Sequence, residues 1–569
     1  MQIMYNWKKD ASTGTQGGKL SDIWLNENDE MFLYIENTES LIARSQLVQQ
    51  GANKNNNNNN KKLQLPLRKS LFAHVPQYIV FHYANKNEKS PDLPKEFLKH
   101  LVWKNSGSPL VLYKTLKYSG FSLTKNFHDP WLGIWIVSPT SMNIENLKLY
   151  QKINQFPSIN ELCDKINLCK NYRRMRKKFG ANFNYMPTSY ILPDECLKFK
   201  KRITKEGGFW IVKPPNFCAG QGIRVISKYC QIPRHLPHII QNYLSKPQLI
   251  NNLKFDLRLY VLVTCLNPLK IYLYYEGLVR IATEKYLTNS KYLDDKFMHL
   301  TNTSINKYSP QFVGNDSVKS CRGNMWSLQS LWTYLMKNNK NTNVPKLWTC
   351  IKDIVIKTIL TAENSLTKIF MEKLSSSYNA YQLFGFDIII DENLKPWLLE
   401  VNSCPSMVAN TPLCDIIKGE LTENLLNLVG FHLPNNIIEE NEILSKIHGE
   451  EILFHNYQLY DKKLNSNEIE KHEKFLKIKK RDNYLSTILE KLTSDDVRIL
   501  IRHEDEELRR GNFEKIFPTS ITFKYFKYFE EQKYYNLLLD SWENCYYLRR
   551  EIGIERLKKL CQEKYHLRQ

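Results

Sequence analysis

Residues 384–402 constrain the fold more than any other part of the chain. Two apolar segments flank the turn-forming residues 391–395, which predicts a buried β-hairpin. If the hairpin folds symmetrically about its turn, Asp387 faces Glu400, and Asn402 projects from the same face as Glu400. Two carboxylates and an amide oxygen form the hard-oxygen site that Mg²⁺ prefers. The alternative is a hairpin with charges at a wet edge, which the flanking apolar residues disfavour.

A second strand carries three charges on one face. In residues 254–263, side-chain alternation places Lys254, Asp256 and Arg258 together, with apolar residues on the opposite face. The strand continues into residues that are apolar on both faces, which indicates a central position. Charges there are costly unless they meet a ligand, so these three are candidate site residues. An ordinary solvent-facing charged strand is the alternative.

A glycine-rich loop lies between two strand candidates in residues 210–226. The first strand ends in Lys213, and Gly220 and Gly222 precede the second. Glycines allow a backbone to approach phosphate oxygens closely, and a lysine supplies charge. This is not a Walker loop, because neither Gly-Lys-Ser/Thr nor a helix follows. A plain hairpin with a surface lysine remains the alternative.

Smaller pieces lie between these segments. Residues 241–244 offer backbone groups to an adenine, or form ordinary surface. Arg280 ends an apolar segment, where it can bind a carboxylate through two hydrogen bonds. Thr301 and Asn302 add hydroxyl and amide groups near it.

The first part of the chain is poorly periodic. Residues 1–130 include the Asn run 55–60, which cannot bury apolar surface and is expected to be a disordered insert. From Trp131 the pattern changes, and residues 131–137 form a strand candidate. Residues 150–156 and 161–179 are expected to be helical.

The rest of the chain mixes strands and helices. Residues 327–374 are expected to be largely helical, and the chain after residue 430 is helical and charged. The predicted divisions are an N-terminal subdomain at 131–205, central and C-terminal core subdomains at 206–430, and a basic extension at 431–569. Strands mixed with helices predict an α/β architecture.

The amino-acid composition limits the classes of binding partner and the cellular compartment. Lys and Arg number 80 against 58 Asp and Glu, and the net charge of +22 favours a polyanionic partner. The 12 cysteines form no CxxC pair, which favours free thiols over a zinc site or disulfide framework. Neither a signal peptide nor an apolar run of the ~18 residues needed for a membrane span is evident. We expect a cytosolic protein.

Taken in order, these motifs resemble the tubulin–tyrosine ligase-like family, whose catalytic core is an ATP-grasp fold. The similarity covers about residues 131–429. A second block within residues 495–518 is similar to the tail of the family's polyglutamylases, especially those that start side chains on tubulin. The resemblance implies an α/β protein with an ATP-grasp ligase core and a C-terminal helical extension that binds microtubules.

The resemblance also implies roles for residues at matching positions. The residues expected to bind ATP are Lys213, Ala219, Gly220, Gln241, Asn242, Tyr243, Leu244, Lys254, Phe255, Asp256, Thr301 and Asn302. Lys254, Arg258 and Glu400 would act in catalysis. Arg280, Thr303, Ser304 and Asn402 would bind the incoming amino acid, and Asp387, Glu400 and Asn402 would hold Mg²⁺.

The implied reaction is ATP-dependent addition of free glutamate to tubulin. ATP would convert the γ-carboxylate of a tail glutamate into an acyl phosphate, and the amine of the incoming glutamate would attack it to form an isopeptide bond. Positioning and charge neutralisation suffice for this chemistry, which fits the absence of a Ser/His or Cys/His constellation. The expected partners are tubulin or microtubules, with no nucleic acid or membrane. We expect a monomer in the cytoplasm on the microtubule cytoskeleton, including cilia or flagellar basal bodies.

Three positions depart from the family pattern. Ala219 stands where family glutamylases usually carry a basic residue, Thr303 where Tyr is common, and Met325 where Lys is usual. Each change removes charge or hydrogen bonding on the amino-acid side of the site. The nucleotide and metal positions are intact.

These departures keep other functions open. A ligase of the same fold could add glycine or act on another protein, since a pocket with fewer cations favours a smaller amino acid. A non-catalytic microtubule-binding protein is a second alternative, with the basic residues 462–491 on the acidic surface; a solvated helix face is the other interpretation of these residues. Charge alone would allow nucleic-acid binding, but no recognised module or aromatic platform is present.

Overall fold

The computed structural model describes residues 65–568, except 84–91, 127–129, 138–143, 216, 218–219, 234–236, 339–341 and 436–437. The Asn run at 55–60 lies outside the described residues, so its expected disorder stays a prediction. Among the described residues, no helix is both long and apolar enough to cross a membrane.

A small parallel sheet lies in the N-terminal part. It follows a short antiparallel pair, β1 (Leu67–Arg68) and β2 (Tyr78–Ile79). Its strands are ordered β4-β3-β5-β6. They are β3 (Val102–Lys104), β4 (Ser122–Thr124), β5 (Gly133–Ile134) and β6 (Lys152–Ile153), with helices α1 (Lys95–Leu98) and α2 (Leu110–Tyr118) between them. This sheet contains strands from both sides of residue 130.

The helix expected at 150–156 is wrong, because β6 occupies this segment. Strand β6 pairs in parallel with β5, and Ile153 also bridges to Ala380. The side chains of Asn154 and Gln155 donate to the carbonyl of Ile136, both at 3.1 Å. Seven residues are too few for a stable isolated helix, so tertiary pairing decides the conformation here.

The basic helix predicted at 161–179 is present but divided. Helices α3 (Asn160–Cys163) and α4 (Lys165–Phe179) meet at Asp164. The Asp164 carboxylate accepts hydrogen bonds from the N–H groups of Ile166 and Asn167, both at 2.9 Å, and so caps α4. The capping residue, rather than the apolar spacing, sets where α4 begins.

A four-stranded antiparallel sheet comes next in the chain, ordered β7-β10-β8-β9. Its strands are β7 (Ser189–Leu192), β8 (Trp210–Lys213), β9 (Arg224–Ile226) and β10 (His238–Asn242). Helix α5 (Cys196–Glu206) packs Phe199 and Ile203 against buried Trp210 of this sheet. The glycine-rich loop therefore joins two neighbouring strands, β8 and β9.

The largest sheet has seven strands and forms the centre of the protein. Its main order is β14-β13-β12-β15-β16, while β11 pairs with β12 and β17 pairs with β13. The strands are β11 (Leu249–Ile250), β12 (Leu253–Leu266), β13 (Leu269–Lys285), β14 (Met325–Ser327), β15 (Gln382–Ile390), β16 (Pro396–Asn402) and β17 (Phe513–Phe517). The pairing of β15 with β16 confirms the predicted hairpin.

The hairpin reaches its predicted register through an irregularity. Asp387 does pair with Glu400, but nearer the turn Ile388 pairs with Leu398 and Ile390 with Pro396. A bulge between Asp387 and Ile388 separates these two registers. The carboxylates are therefore opposed as predicted, although the turn is one residue tighter than a symmetric hairpin requires.

Helices cover this sheet. The predicted helical stretch at 327–374 is confirmed as three helices, α8 (Leu328–Asn338), α9 (Val344–Leu360) and α10 (Glu363–Lys373). Two short helices precede them, α6 (Lys296–His299) and α7 (Thr303–Asn306). Helix α11 (Pro412–Val429) follows β16 and buries much of its surface, including Leu421 and Leu425.

The last part of the chain is mainly helical, as expected, but it also completes the central sheet. Its helices are α12 (Ile438–His448), α13 (Ser466–Leu476), α14 (Arg481–Leu485), α15 (Ser494–Arg509), α16 (Tyr534–Tyr546) and α17 (Arg550–Gln562). Between α15 and α16, β17 pairs antiparallel with β13 and buries Phe513 and Phe517 completely. This strand was not predicted from the sequence.

Candidate active site

The candidate site is one face of the central sheet. Asp256 on β12 pairs with Arg280 on β13, and Arg258 on β12 pairs with Asp387 on β15. Asp387 in turn pairs with Glu400 on β16. Directly opposed residues in antiparallel strands project to the same side, so these five charged side chains share one face.

Arginine–carboxylate pairs organise this face. Arg258 binds Asp387 through Nε at 2.6 Å and Nη2 at 3.1 Å. Arg280 binds Asp256 through Nε and Nη2, both at 2.6 Å, and its Nη2 also lies 2.9 Å from Asp387. Thr301 Oγ1 donates to Asp256 at 2.6 Å. Among described residues the Nη1 groups of both arginines have no bonding partner, so they are available to an anionic substrate.

The two opposed carboxylates have different electrostatic environments. Burial would raise the pKa of Asp387, but the guanidinium groups of Arg258 and Arg280 outweigh it and lower that pKa. Burial and the charge of Asp387 raise the pKa of Glu400. The ammonium of Lys165, 3.8 Å from Glu400, only partly offsets this. Glu400 is thus a half-buried carboxylate, and the nearby lysines, Lys165 and Lys213, do not fully offset the effects of burial and of Asp387 on its pKa.

The oxygens around Glu400 suit a divalent cation. Asn402 donates from Nδ2 to the carbonyl of Gly385 at 3.3 Å, which leaves its Oδ1 available as an acceptor. Asp387 keeps lone pairs beyond those used by the arginines, because a carboxylate offers about four acceptor sites. Hard oxygen ligands and an under-neutralised carboxylate fit Mg²⁺. The geometry supports Asp387, Glu400 and Asn402 as candidate metal ligands.

Lys213 projects from the end of β8 toward this face. Its Nζ donates to Gln241 Oε1 at 2.8 Å and to the carbonyl of Leu399 at 3.4 Å. Gln241 in turn donates to Ser189 Oγ at 3.1 Å. Burial lowers the pKa of Lys213 to about 8, although Glu400 opposes the shift. Lys213 therefore links the four-stranded sheet to the strand that carries Glu400.

Lys254 is held by an aromatic pair. Its Nζ donates to Tyr243 Oη at 3.0 Å and to the carbonyl of His299 at 2.9 Å. Tyr243 and His299 Nδ1 are themselves 2.8 Å apart. Burial lowers the pKa of Lys254 to about 7, even though Asp256 favours its charge. Lys254 is thus a second buried lysine beside the charged face, two residues from Asp256 on β12.

Residues 241–244 are only partly free for a ligand. Tyr243 N–H donates to Phe209 O at 3.0 Å, and Asn242 N–H donates to Thr188 O at 2.8 Å. The Gln241 side chain is committed to Lys213. An adenine at this edge must therefore use carbonyl groups or the N–H of Leu244.

The glycine-rich loop contacts the segment that follows His299. Gly220 has φ +81°, and a Cβ there would lie 2.6 Å from Ile305 Cδ1 and 3.1 Å from Asn302 Oδ1. Only glycine allows this approach. Ala219 lies outside the described residues. Thr303 and the exposed Ser304 begin α7.

Phe255 contributes no side chain to this face. It is fully buried on the side of β12 opposite Lys254 and Asp256.

Met325 occupies an apolar part of the site wall. It pairs with Arg280 across β13 and β14, so it shares the row of Asp256 and Arg280. Its Sδ lies 3.1 Å from Cys414 Sγ of α11, within a cluster completed by Leu278, Leu413 and Ile417.

Sequence reasoning missed three residues around the site. Lys165 approaches Glu400 and donates to the carbonyl of Phe217 at 3.0 Å. His299 holds Lys254, and Lys418 of α11 is buried near the two arginines. None carries a spacing signal, since each reaches the site from a separate helix or helix end.

The central sheet, its charged face and the glycine-rich loop of the adjoining sheet define an α/β protein of the ATP-grasp type, as the sequence predicted. The model of the tubulin–tyrosine ligase family matches residues 142–441. The chain belongs to the tubulin–tyrosine ligase family.

Its relatives include named tubulin glutamylases. Tubulin monoglutamylase TTLL4 of Homo sapiens is 40% identical over 512 residues, which cover 88% of this chain and 42% of the relative. The Mus musculus protein of the same name is 38% identical, covering 90% of this chain and 44% of the relative. Tubulin polyglutamylase ttll-4 of Caenorhabditis briggsae is 34% identical, with 88% and 81% covered. The chain therefore spans less than half of the two mammalian relatives.

Proposed function

We propose that this protein is an ATP-dependent ligase that joins glutamate to glutamate side chains in tubulin C-terminal tails. The observation that carries the proposal is that half-buried Glu400 opposes Asp387, a carboxylate bound by the two arginines Arg258 and Arg280. Their free Nη1 groups face the same side of the sheet. The printed names of the relatives support the choice of acceptor and of amino acid.

In the proposed reaction, a γ-carboxylate oxygen of a tail glutamate attacks the γ-phosphorus of ATP and ADP departs. The α-amine of free glutamate then attacks the carbonyl carbon of the acyl phosphate. The C–O bond to phosphate breaks, inorganic phosphate leaves, and the amine loses a proton as the isopeptide bond forms. No protein nucleophile is needed, so the residues contribute by binding and by charge.

In this proposal, each group of site residues has a separate role in the reaction. Lys213 and Lys254 bind nucleotide phosphates, and Asp387, Glu400 and Asn402 hold Mg²⁺, which when bound neutralises phosphate charge. Arg258 stabilises the oxygens of the acceptor as charge moves onto them. Arg280 orients the α-carboxylate of the incoming amino acid. Asp256 and Thr301 fix Arg280 in that orientation.

The test is incubation of the full chain with microtubules, ATP, Mg²⁺ and either glutamate or glycine, followed by mass spectrometry of the tails. Added glutamate masses that disappear in Glu400→Gln are expected. Added glycine masses would support the proposed ligase activity but contradict glutamate as its amino-acid substrate. If neither glutamate nor glycine is added, although ATP and microtubules bind, the result would favour the alternative of a non-catalytic microtubule-binding protein.

We also propose that the basic extension contacts the acidic microtubule surface in the cytoplasm. Four lysines between α13 and α14 or at the end of α13 are exposed: Lys474, Lys477, Lys479 and Lys480. Lys471 and Arg481 are instead half-buried and paired, since they bind Asp496 at 2.6 Å and Asp540 at 2.9 Å. The proposed docking surface therefore consists of the four exposed lysines.

Deletion of 431–569 would not test docking, because it would also remove β17 from the central sheet. Glutamate substitution of the four exposed lysines leaves the core intact. We expect weaker modification of microtubules at physiological salt and unchanged modification of a free tail peptide. Equal loss on both substrates would contradict the docking role.

A further inference from the structure

Helix α11 covers the amino-acid side of the candidate site. Its first turns pack on Met325, which shares a cross-strand row with Arg280 and Asp256. Cys414 makes the contact with Met325 at 3.1 Å. Lys418 follows Cys414 by one helical turn and therefore lies on the same face of α11.

Lys418 is buried, with 5% of its surface exposed. Its ammonium donates to the carbonyl of Val408 at 2.6 Å. No carboxylate among the described residues forms an ion pair with it. A buried ammonium without a counter-charge is costly, so this position suits an anion that arrives with a substrate.

The charges around Lys418 are consistent with a site for an anion. The pKa of Lys418 is lowered to about 8, mainly by burial; Cys414 opposes this shift, and the charges of Arg258 and Arg280 contribute to it. Both arginines are already paired with Asp387 and Asp256. Among the described residues, Lys418 forms no such ion pair.

We propose that Lys418 binds the side-chain carboxylate of the incoming glutamate and so determines amino-acid specificity; this deepens the proposed function and rests on it. Glutamate carries two methylene groups between its carboxylate and its α-carbon. The apolar wall of Leu278, Met325, Leu413 and Ile417 can pack against them. With Arg280 on the α-carboxylate and Lys418 on the side chain, the α-amine remains free to attack.

Lys418→Met tests the assignment, because methionine preserves an unbranched chain in a buried, partly apolar place. The KM for glutamate should rise roughly 10- to 100-fold, the effect of one charge-assisted hydrogen bond. The KM for ATP should not change, and any rate with glycine should equal that of the wild type. Lys418→Arg should retain part of the preference for glutamate. Lys446→Met, at an exposed lysine of α12, is the matched control and should behave as wild type.

Glutamate binding is measured separately by titration calorimetry with a non-hydrolysable ATP analogue. Weaker binding in Lys418→Met than in wild type supports the assignment, even if the wild type fails to modify tubulin; that failure would overturn only the proposed acceptor. Equal glutamate affinity in the two proteins, or no binding by either, would overturn the role of Lys418. Equal losses with glutamate, glycine and ATP would also overturn it, since they indicate a purely structural lysine.

Discussion

ATP binding should be accompanied by proton uptake. Lys213 and Lys254 are buried cations whose pKa values burial lowers to about 8 and about 7. At pH 8, Lys213 is about half protonated and Lys254 only about one-tenth. If both contact nucleotide phosphates, the polyanion raises their pKa values and both become charged. The uptake is then about 0.5 proton at Lys213 and about 0.9 at Lys254, or roughly 1.4 in total.

Titration calorimetry measures this number directly. A non-hydrolysable ATP analogue is titrated at pH 8 in buffers that differ in ionisation enthalpy, and the slope of observed enthalpy against that value gives the protons taken up. Lys254→Met should leave about 0.5 proton and Lys213→Met about 0.9. Burial also lowers the pKa of His299, so that ring stays neutral at this pH and should not contribute. A slope near zero in the wild type, or proton release, would refute the placement of these lysines at the phosphates.

The same two lysines set a pH dependence in the absence of nucleotide. Their pKa values in the folded protein lie below those in the unfolded chain, which therefore binds more protons between about pH 7 and 10. Their contribution to the free energy of unfolding must then increase as pH rises through this window. The measurement is the urea midpoint of wild type against Lys254→Met, whose midpoint should depend less on pH.

Three further predictions concern packing and charge around the site. Asp256→Asn removes the charge that holds buried Arg280, so we expect a loss of about 3–5 kcal/mol in urea unfolding, partly recovered by adding Arg280→Gln; no loss would contradict the buried pair. Gly385→Ala places a Cβ 2.8 Å from Pro405 Cβ and 3.2 Å from Arg258 Cδ, so ligation should fall at least about tenfold for a stability cost of about 1–3 kcal/mol. An unchanged ligation rate would show that the Arg258 position is uncritical. Phe513→Ala should cost about 3–5 kcal/mol, because the ring is fully buried in the main core; a change under about 0.5 kcal/mol would place β17 outside it.

Much of the site was predictable because it lies on strands. Alternation places Lys254, Asp256 and Arg258 on one face from sequence alone, and a hairpin assumed to be symmetric about its turn pairs Asp387 with Glu400. The predicted register was nevertheless correct only because two departures from a symmetric hairpin cancel. The bulge after Asp387 corrects for a tighter turn, and the sequence carries no sign of it.

Contacts made by other parts of the chain were not predictable. Lys165 and Lys418 reach the site from helices distant in sequence, and their roles depend on how α4 and α11 pack. The helix predicted at 150–156 was wrong for a different reason. Its spacing resembles a helix, but pairing with β5 and Ala380 outweighs weak local preference.

Strand β17 limits how members of this family could be recombined. Residues Ile271 to Tyr274 of β13 pair with β17, and the same strand continues to Arg280 in the site. A chimera that imports a foreign extension from residue 431 onward would also replace a strand of the catalytic sheet. The residues that can be exchanged without altering this sheet are the exposed lysines between Lys471 and Arg481, since these two are bound to Asp496 and Asp540. If the exposed lysines dock the protein as proposed, changing the docking surface without changing the sheet requires substitutions within the extension rather than its replacement.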